Sequence, residues 1–305
     1  MGLSIYNIKK WTLMMTGKSV LHVNQDIGKS FSTTEIKGYY NNLTEKVTMA
    51  PELLENDSLP LLKIENGDKV EFPVAIFQYG LGAYDLYLKS KDEKYRNKLL
   101  QCCQWAITNQ KANGAWSNFF YIYPDHPYGA MCQGEGASLL LRGYSETKDK
   151  GYMSAAIMAI DFMLRSVDEG GCSFYKENDL ILLEYTHLPA VMNGWIFALF
   201  GLFDITLLPD VDAKYKKAFI QSLNSLKVCL PEFTNSYWSM YDLCGKIASP
   251  FYHNLHIAQM EALYEMSGEA LFKKYADRWK ADQGSFIKKN RAFIKKAFQK
   301  VLEKQ

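Results

Sequence analysis

The fold is decided by two consecutive segments, Val74–Ser90 (VAIFQYGLGAYDLYLKS) and Asp92–Asn109 (DEKYRNKLLQCCQWAITN). The first segment places its apolar residues at helical spacing. The second opens with acidic residues and ends at Asn109, before the turn Asn113-Gly114, which is a start and stop pattern for a helix. The two segments therefore predict a pair of antiparallel helices.

The same pattern recurs three times along the chain. The further pairs are Gly134–Thr147 with Gly151–Val167, Met192–Leu207 with Asp212–Leu230, and Ser249–Ser267 with Glu269–Trp279. Successive helix pairs with a long loop at one end predict a mainly α fold, an incomplete α/α toroid built of helix hairpins. The loops between pairs are rich in aromatic residues: Trp116–His126, Gly170–Tyr185 and Phe233–Phe251. In a toroid such loops gather at one mouth, where we expect a groove for an extended polymer.

The two ends of the chain differ from the helix pairs. Ser19–Ile27 is short and β-like, and Pro51 and Pro60 interrupt the sequence after it. We therefore divide the chain into residues 1–70, an N-terminal arm or small β element, and residues 71–305, the toroid domain. The last predicted helix, Ile287–Lys304, is basic and amphipathic. Its lysines form either a solvated face or a contact for a membrane or an anionic polymer.

The composition is that of a globular protein, with 48% apolar and 22% charged residues among 305. The 35 Lys and Arg against 33 Asp and Glu leave a net charge of +2, which does not favour nucleic acid as a partner. The longest apolar run, Val191–Phe203, is shorter than the ~20 residues of a membrane-spanning helix. The N-terminus also lacks the apolar run of a signal peptide. We expect no membrane span and a cytoplasmic location.

Cofactor motifs are absent from the sequence. Neither GxGxxG nor GxxxxGK[ST] occurs, so a nucleotide cofactor is not expected. His253 and His256 are three residues apart but lack further metal ligands nearby, so we expect no metal and no other cofactor. The six cysteines form no CxxC pair and are predicted to be small buried hydrophobic residues rather than a disulfide framework.

Three short segments combine tyrosines with a carboxylate or histidines at the starts of predicted helices: Leu183-Glu184-Tyr185, Tyr237–Asp242 and Ser249–His253. Aromatic residues make up 14% of the chain, which fits either a large core or a groove that stacks on sugar rings. Each tyrosine taken alone fits ordinary packing. Together they resemble a site that binds a sugar and moves protons, because tyrosine can act as an acid or a base.

These motifs resemble, in order, those of the D-glucuronyl C5-epimerases. The matching segments are Pro73–Tyr84 (PVAIFQYGLGAY), Asn113–Trp116 (NGAW), Tyr128–Ser138 (YGAMCQGEGAS), Leu183–Asp204 (LEYTHLPAVMNGWIFALFGLFD), Tyr241–Leu243 (YDL) and Tyr252-His253 with His256-Ile257. The N-terminal Lys37–Lys46 (KGYYNNLTEK) also looks like the short bacterial-type members. The resemblance runs over about residues 73–267 and covers the catalytic region of those enzymes.

The resemblance implies an isomerase that converts D-glucuronate to L-iduronate in a heparosan-like polysaccharide, with homodimers frequent in the family. It marks four catalytic residues: Glu184, Tyr185, Tyr241 and Tyr252. Glu184 and Tyr252 are expected to be the opposed proton carriers. Residues expected to bind substrate are Gln78, Tyr79, Trp116, Tyr123, Tyr128, Gln133, Glu135, Asn193, Lys246 and His253. The family often carries an arginine where Cys244 stands here, so we expect Lys246, or another basic residue, to meet the substrate carboxylate instead.

Three other functions fit the same residues. A polysaccharide lyase removes the same proton and then expels the group at carbon 4. A toroid glycosidase needs two carboxylates beside the scissile bond, for which Glu135 and Glu184 are candidates. A non-catalytic carbohydrate-binding protein would use the aromatic groove alone.

Overall fold

The computed structural model describes residues 9, 12, 13, 16, 30–64 and 67–302. The predicted β-like segment Ser19–Ile27 lies outside these residues. The helices are α1 (Glu45–Thr48), α2 (Pro51–Glu55), α3 (Pro73–Ser90), α4 (Glu93–Asn109), α5 (Ala130–Thr147), α6 (Lys150–Leu164), α7 (Met192–Thr206), α8 (Ala213–Cys229), α9 (Pro250–Ser267), α10 (Ala270–Gly284) and α11 (Phe286–Leu302). The antiparallel hairpins are β1 (Leu61–Lys63) with β2 (Lys69–Glu71) and β3 (Ser173–Lys176) with β4 (Asp179–Leu182).

Four helix hairpins form the body of the protein. Each of α3, α5, α7 and α9 packs against the helix that follows it, and these four also pack against one another in chain order. They are the inner helices, and α4, α6, α8 and α10 lie outside them. This arrangement is an incomplete α/α toroid, so the predicted fold class is confirmed.

Close backbone contact joins the inner helices α5 and α7. A Cβ atom on Gly201 would lie 2.2 Å from the carbonyl oxygen of Gly134, and one on Gly134 would lie 2.6 Å from the Cα of Ala198. Glycine at both positions lets the two helices approach more closely than side chains would allow. The helix α7 is buried over nearly all its length, as its apolar sequence predicts.

The segment before α1 is anchored in the same core. Arg142 on α5 forms a buried ion pair with Asp204 on α7 and donates from Nε to the carbonyl of Gly38 at 2.7 Å. The Tyr40 hydroxyl donates to Asp204 at 2.6 Å, and Tyr39 is buried beside it. Residues 38–40 therefore pack as part of the toroid. The division at residue 70 stays a prediction.

Helix bounds differ from the sequence prediction at a few ends. Helix α5 begins at Ala130, four residues before the predicted start, because Gly129 in extended conformation leads directly into it. Helix α10 continues five residues past Trp279. The hairpin β3–β4 lies in a segment that we predicted only as an aromatic loop.

The cysteines are all free, and four of them are buried as predicted: Cys102, Cys103, Cys132 and Cys172. The prediction is wrong for Cys229, which is partly exposed, and for Cys244, which is exposed. Among the described residues, no helix is both long and apolar enough to cross a bilayer.

Candidate active site

Glu184 lies where the first turns of two inner helices meet. It follows β4, and the neighbouring Leu183 carbonyl accepts from the Ala130 amide of α5 at 2.8 Å. A Cβ atom on Gly129 would lie 2.1 Å from the Glu184 carbonyl oxygen, and one on Gly194 would lie 2.2 Å from its Oε2. The side chain is thus held between α5 and the start of α7.

Burial dominates the electrostatics of this carboxyl. Glu184 is only 8% exposed, and its Oε2 has no hydrogen-bond partner among the described residues. Burial raises the pKa of Glu184 to about 7, and a hydrogen bond with the Tyr185 side chain opposes this rise. The result is a carboxyl that changes charge near neutral pH, which is the range that suits a general acid or base.

Three tyrosines adjoin Glu184 in one cluster. Tyr185 stacks on Phe119 with ring centroids 4.6 Å apart, and the rings of Tyr241 and Tyr252 lie 4.8 Å apart. The Glu184 charge acts on all three phenols, and Tyr241 interacts with both Tyr185 and Tyr252. The carboxyl and the three phenols therefore form one group of adjoining polar side chains. Burial and the nearby Glu184 charge raise the pKa of all three phenols, which stay protonated at neutral pH.

Two local structures fix Tyr241 and Tyr252. The Tyr241 carbonyl accepts from the Met192 amide at the start of α7 at 3.1 Å. The Tyr241 amide donates to the Lys246 carbonyl at 2.6 Å. Tyr252 stands in the first turn of α9, where the cap residue Ser249 accepts from its amide at 3.3 Å. A cap hydroxyl and a proline at the helix start are the usual signals of an N-terminus, so the sequence itself places this tyrosine.

A buried lysine lies next to the tyrosine cluster. Lys296 on α11 is 6% exposed, and its Nζ lies 5.5 Å from the centroid of the Tyr241 ring. The same helix holds the loop after Tyr241, because Gln299 accepts from the Ile247 amide and donates to the Gly245 carbonyl. Helix α11 is therefore a wall of the site.

A second carboxyl lies deeper between the inner helices. Glu135 accepts from the Gln78 amide at 2.8 Å, while its Oε2 has no hydrogen-bond partner in the described part of the chain. Burial raises the pKa of Glu135 to about 8, and the Glu184 charge adds to the rise. The Lys46 ammonium opposes it, and burial lowers the pKa of Lys46 to about 8. Glu135, Gln78 and Lys46 thus form a polar group beside Glu184.

Several predicted substrate contacts are instead packed inside the core. Trp116 is buried against Phe77 and donates from its indole to the Ala106 carbonyl at 2.8 Å. All polar atoms of the Gln133 amide bond to backbone groups of Trp116 and Gly129. These two side chains therefore have no polar atom left for a sugar.

His253 and Tyr79 are also buried in the protein. His253 donates from Nε2 to the Trp279 carbonyl at 3.1 Å, and its Nδ1 lies 2.8 Å from the Ser239 hydroxyl. Burial lowers the pKa of His253 to about 3, so the ring is neutral. Tyr79 is buried, and its hydroxyl has no hydrogen-bond partner among the described residues.

The remaining predicted contacts lie around the cluster. Asn193, in the first turn of α7, is buried with its Oδ1 unbonded to any described residue. Tyr123 packs edge-on against Tyr185 at 5.9 Å. Tyr128 lines a cavity of about 430 Å³ that also includes Thr186, one residue from Tyr185. Lys246 Nζ lies 3.8 Å from Asp242 Oδ2, and its side chain is partly exposed.

Sequence reasoning missed Lys296 and Lys46. Lys296 belongs to a run of similar lysines, and only the packing of α11 distinguishes the buried one. Lys46 lies in the segment Lys37–Lys46, which resembles the short bacterial-type epimerases, but that resemblance gives Lys46 no role. A lysine at an apolar position of the helical pattern of α11 is the signal that could have found Lys296.

Comparison with known proteins finds a matching family model and two relatives. A family model described as "D-glucuronyl C5-epimerase C-terminus" matches residues 110–281. A D-glucuronyl C5-epimerase of Caenorhabditis elegans is 24% identical over 220 residues, which are 63% of this chain and 36% of that protein. An uncharacterized protein of Methanocaldococcus jannaschii is 31% identical over 159 residues, 50% of this chain and 51% of the relative. The chain spans about half or less of the length of these relatives.

A solved structure supports the fold alone. It is named UGL, an aspartate-to-asparagine variant with dGlcA-Glc-Rha-Glc, and it has a TM-score of 0.50 and 13% sequence identity. The alignment covers 79% of this chain and 66% of that one. Because the family model covers more than half of the 305 residues and includes the whole Glu184–Tyr252 cluster, the chain belongs to the D-glucuronyl C5-epimerase C-terminal family.

Proposed function

We propose that the protein inverts carbon 5 of D-glucuronate to L-iduronate within a heparosan-like polysaccharide by removing one proton and adding another from the opposite face. The observation that carries this proposal is the Glu184 carboxyl, with one oxygen unbonded to described residues, beside the linked phenols of Tyr185, Tyr241 and Tyr252. A base on one face and an acid on the other are what such an inversion needs.

Glu184 is the proposed base. The hydrogen on carbon 5 is alpha to the substrate carboxylate, so its removal yields an enediolate-like species with extra negative charge. Because burial raises the pKa of Glu184 to about 7, this carboxylate is a stronger base than an ordinary glutamate and is still partly ionised at neutral pH.

Tyr252 is the proposed acid. Its raised pKa keeps the phenol protonated until it delivers a proton to the opposite face. The step leaves a protonated Glu184 and a Tyr252 phenolate. The adjoining phenols of Tyr185 and Tyr241 are the proposed route that returns the proton between turnovers.

Lys296 is the proposed partner of the substrate carboxylate. It is buried and lies beside the Tyr241 ring, whereas the Lys246 side chain is 43% exposed. A buried cation stabilises the enediolate more than an exposed one, since water screens it less. We therefore assign to Lys296 the role that we had expected of Lys246.

The direct test is incubation with heparosan in deuterated water, followed by NMR of carbon 5. We expect deuterium at carbon 5 and L-iduronate in a polymer of unchanged length, with Glu184→Gln and Tyr252→Phe strongly impaired. An unsaturated, ultraviolet-absorbing product of decreasing chain length would show that the protein is a lyase and not an epimerase. Binding to uronic-acid polymers without deuterium exchange on any of them would show a non-catalytic carbohydrate-binding protein.

A further inference from the structure

Within the described part of the chain, helix α11 packs on the protein mainly along one face, and Arg291 lies over the Tyr237 ring at 4.2 Å. Ala292 is buried among Trp238, Ile247 and Ala248, and Lys296 and Gln299 lie against the loop of the site. These contacts position the helix. They leave the opposite face directed outward.

The outward face is apolar. Its exposed side chains are Phe286 at 82%, Ile287 at 78%, Ile294 at 55%, Phe298 at 64% and Leu302 at 66%. Positions 287, 294, 298 and 302 follow helical spacing, and with Phe286 and Phe293 they form an apolar face that Asn290 and Arg291 interrupt at one turn. Scattered surface hydrophobic residues are ordinary, but six exposed apolar side chains on one helix mark an interaction surface.

Basic residues lie on both sides of the outward apolar face. The helix carries six basic residues and no acidic one: Lys288, Lys289, Arg291, Lys295, Lys296 and Lys300. At 100° per residue, Lys295 and Lys288, which pairs with Asp282, lie beside Leu302 on one side, and Lys289 and Lys300 lie beyond Phe286 and Phe293 on the other. Lys289 and Lys295 are themselves exposed.

We propose that this outer face of α11 binds the surface of an anionic lipid bilayer, with the helix lying in the interface and not crossing it. A bilayer offers both apolar depth for the phenylalanine and isoleucine side chains and negative headgroups for the lysines. A polysaccharide offers the charge without apolar depth. A second copy of α11 would bring two purely cationic helices together, and their like charges repel.

The proposal predicts salt-sensitive binding to vesicles. We expect co-sedimentation of the full chain with vesicles of equal parts phosphatidylserine and phosphatidylcholine, and none with phosphatidylcholine alone. The pair Ile294→Ser and Phe298→Ser should weaken binding by about tenfold or more. The pair Lys289→Glu and Lys295→Glu should weaken it by at least about 30-fold.

Matched controls lie on α8, away from α11. Val228→Ser removes another exposed apolar side chain, and Lys216→Glu reverses another exposed charge, so both should bind vesicles like the unaltered protein. Circular dichroism checks that each variant folds. Absence of binding to phosphatidylserine vesicles, or equal binding by the α11 variants, overturns the proposal. A dimer that dissociates in the Phe298→Ser variant overturns it in favour of a second copy as the occupant.

Discussion

Replacing Lys296 by methionine removes the buried ammonium beside Tyr241 while keeping a flexible side chain of similar length. In the proposed reaction the substrate carboxylate gains about one negative charge as the enediolate forms. With the 5.5 Å from Nζ to the Tyr241 ring as the scale of separation, and an effective dielectric constant of about 20, that charge is stabilised by about 3 kcal/mol. We therefore expect kcat to fall about 150-fold.

The assay is the rate of deuterium incorporation at carbon 5 under saturating heparosan. Lys296→Arg should restore most of the rate, since it restores the charge. Lys295→Met, one residue along on the exposed side of α11, should leave the rate unchanged. Near-full activity of Lys296→Met together with a collapse in Lys246→Met would refute the reasoning and return the carboxylate contact to Lys246.

Three more predictions concern the proton carriers. Because burial raises the folded-state pKa of Glu184 from 4.5 to about 7, the folded protein loses about 3 kcal/mol of stability as pH rises through that window. Glu184→Gln should abolish this loss, so thermal denaturation should find the variant more stable than the unaltered protein near pH ~8 and little different near pH ~5. Gly194→Ala should displace the Glu184 carboxylate and lower kcat. Gly284→Ala should leave kcat unchanged, because a Cβ atom there meets nothing within 4 Å. Equal rates for the two variants would show that contact with Gly194 does not position Glu184. Tyr241→Phe should break the proton-return series, slowing steady-state turnover more than a single turnover, and equal slowing would remove Tyr241 from that role.

The helical periodicity of the sequence predicts most of the helices in the fold. The sequence predicts where α4 and α9 begin. Asp92 caps the start of α4, and Ser249 caps the start of α9, where Pro250 is the first helical residue. In the hairpin β3–β4, the strand Ser173–Lys176 has no alternation of buried and exposed residues, since three of its four side chains are exposed. The strand Asp179–Leu182 does alternate, but four residues are too short a segment to predict the hairpin without its partner strand.

The site was only half readable from the sequence. Glu184, Tyr185, Tyr241 and Tyr252 lie in short segments whose residue types already suggest proton transfer. Trp116 and His253 carry the same kind of side chain, yet both are fully used by internal hydrogen bonds. Residue type cannot separate these two cases, because the difference depends on which partner occupies each polar atom.

The contact between Gly134 and Gly201 also governs the chemistry at a distance. It lies about 7.5 Å along α5 from Gly129 and about 10 Å along α7 from Gly194, the two residues that enclose Glu184. The spacing of those two helix axes therefore sets the width of the slot in which the carboxylate stands. A methyl group added at Gly201 would widen that slot without touching any sugar. In a random-mutagenesis screen such a variant would be scored as a loss of the catalytic base, although every reacting side chain is still present.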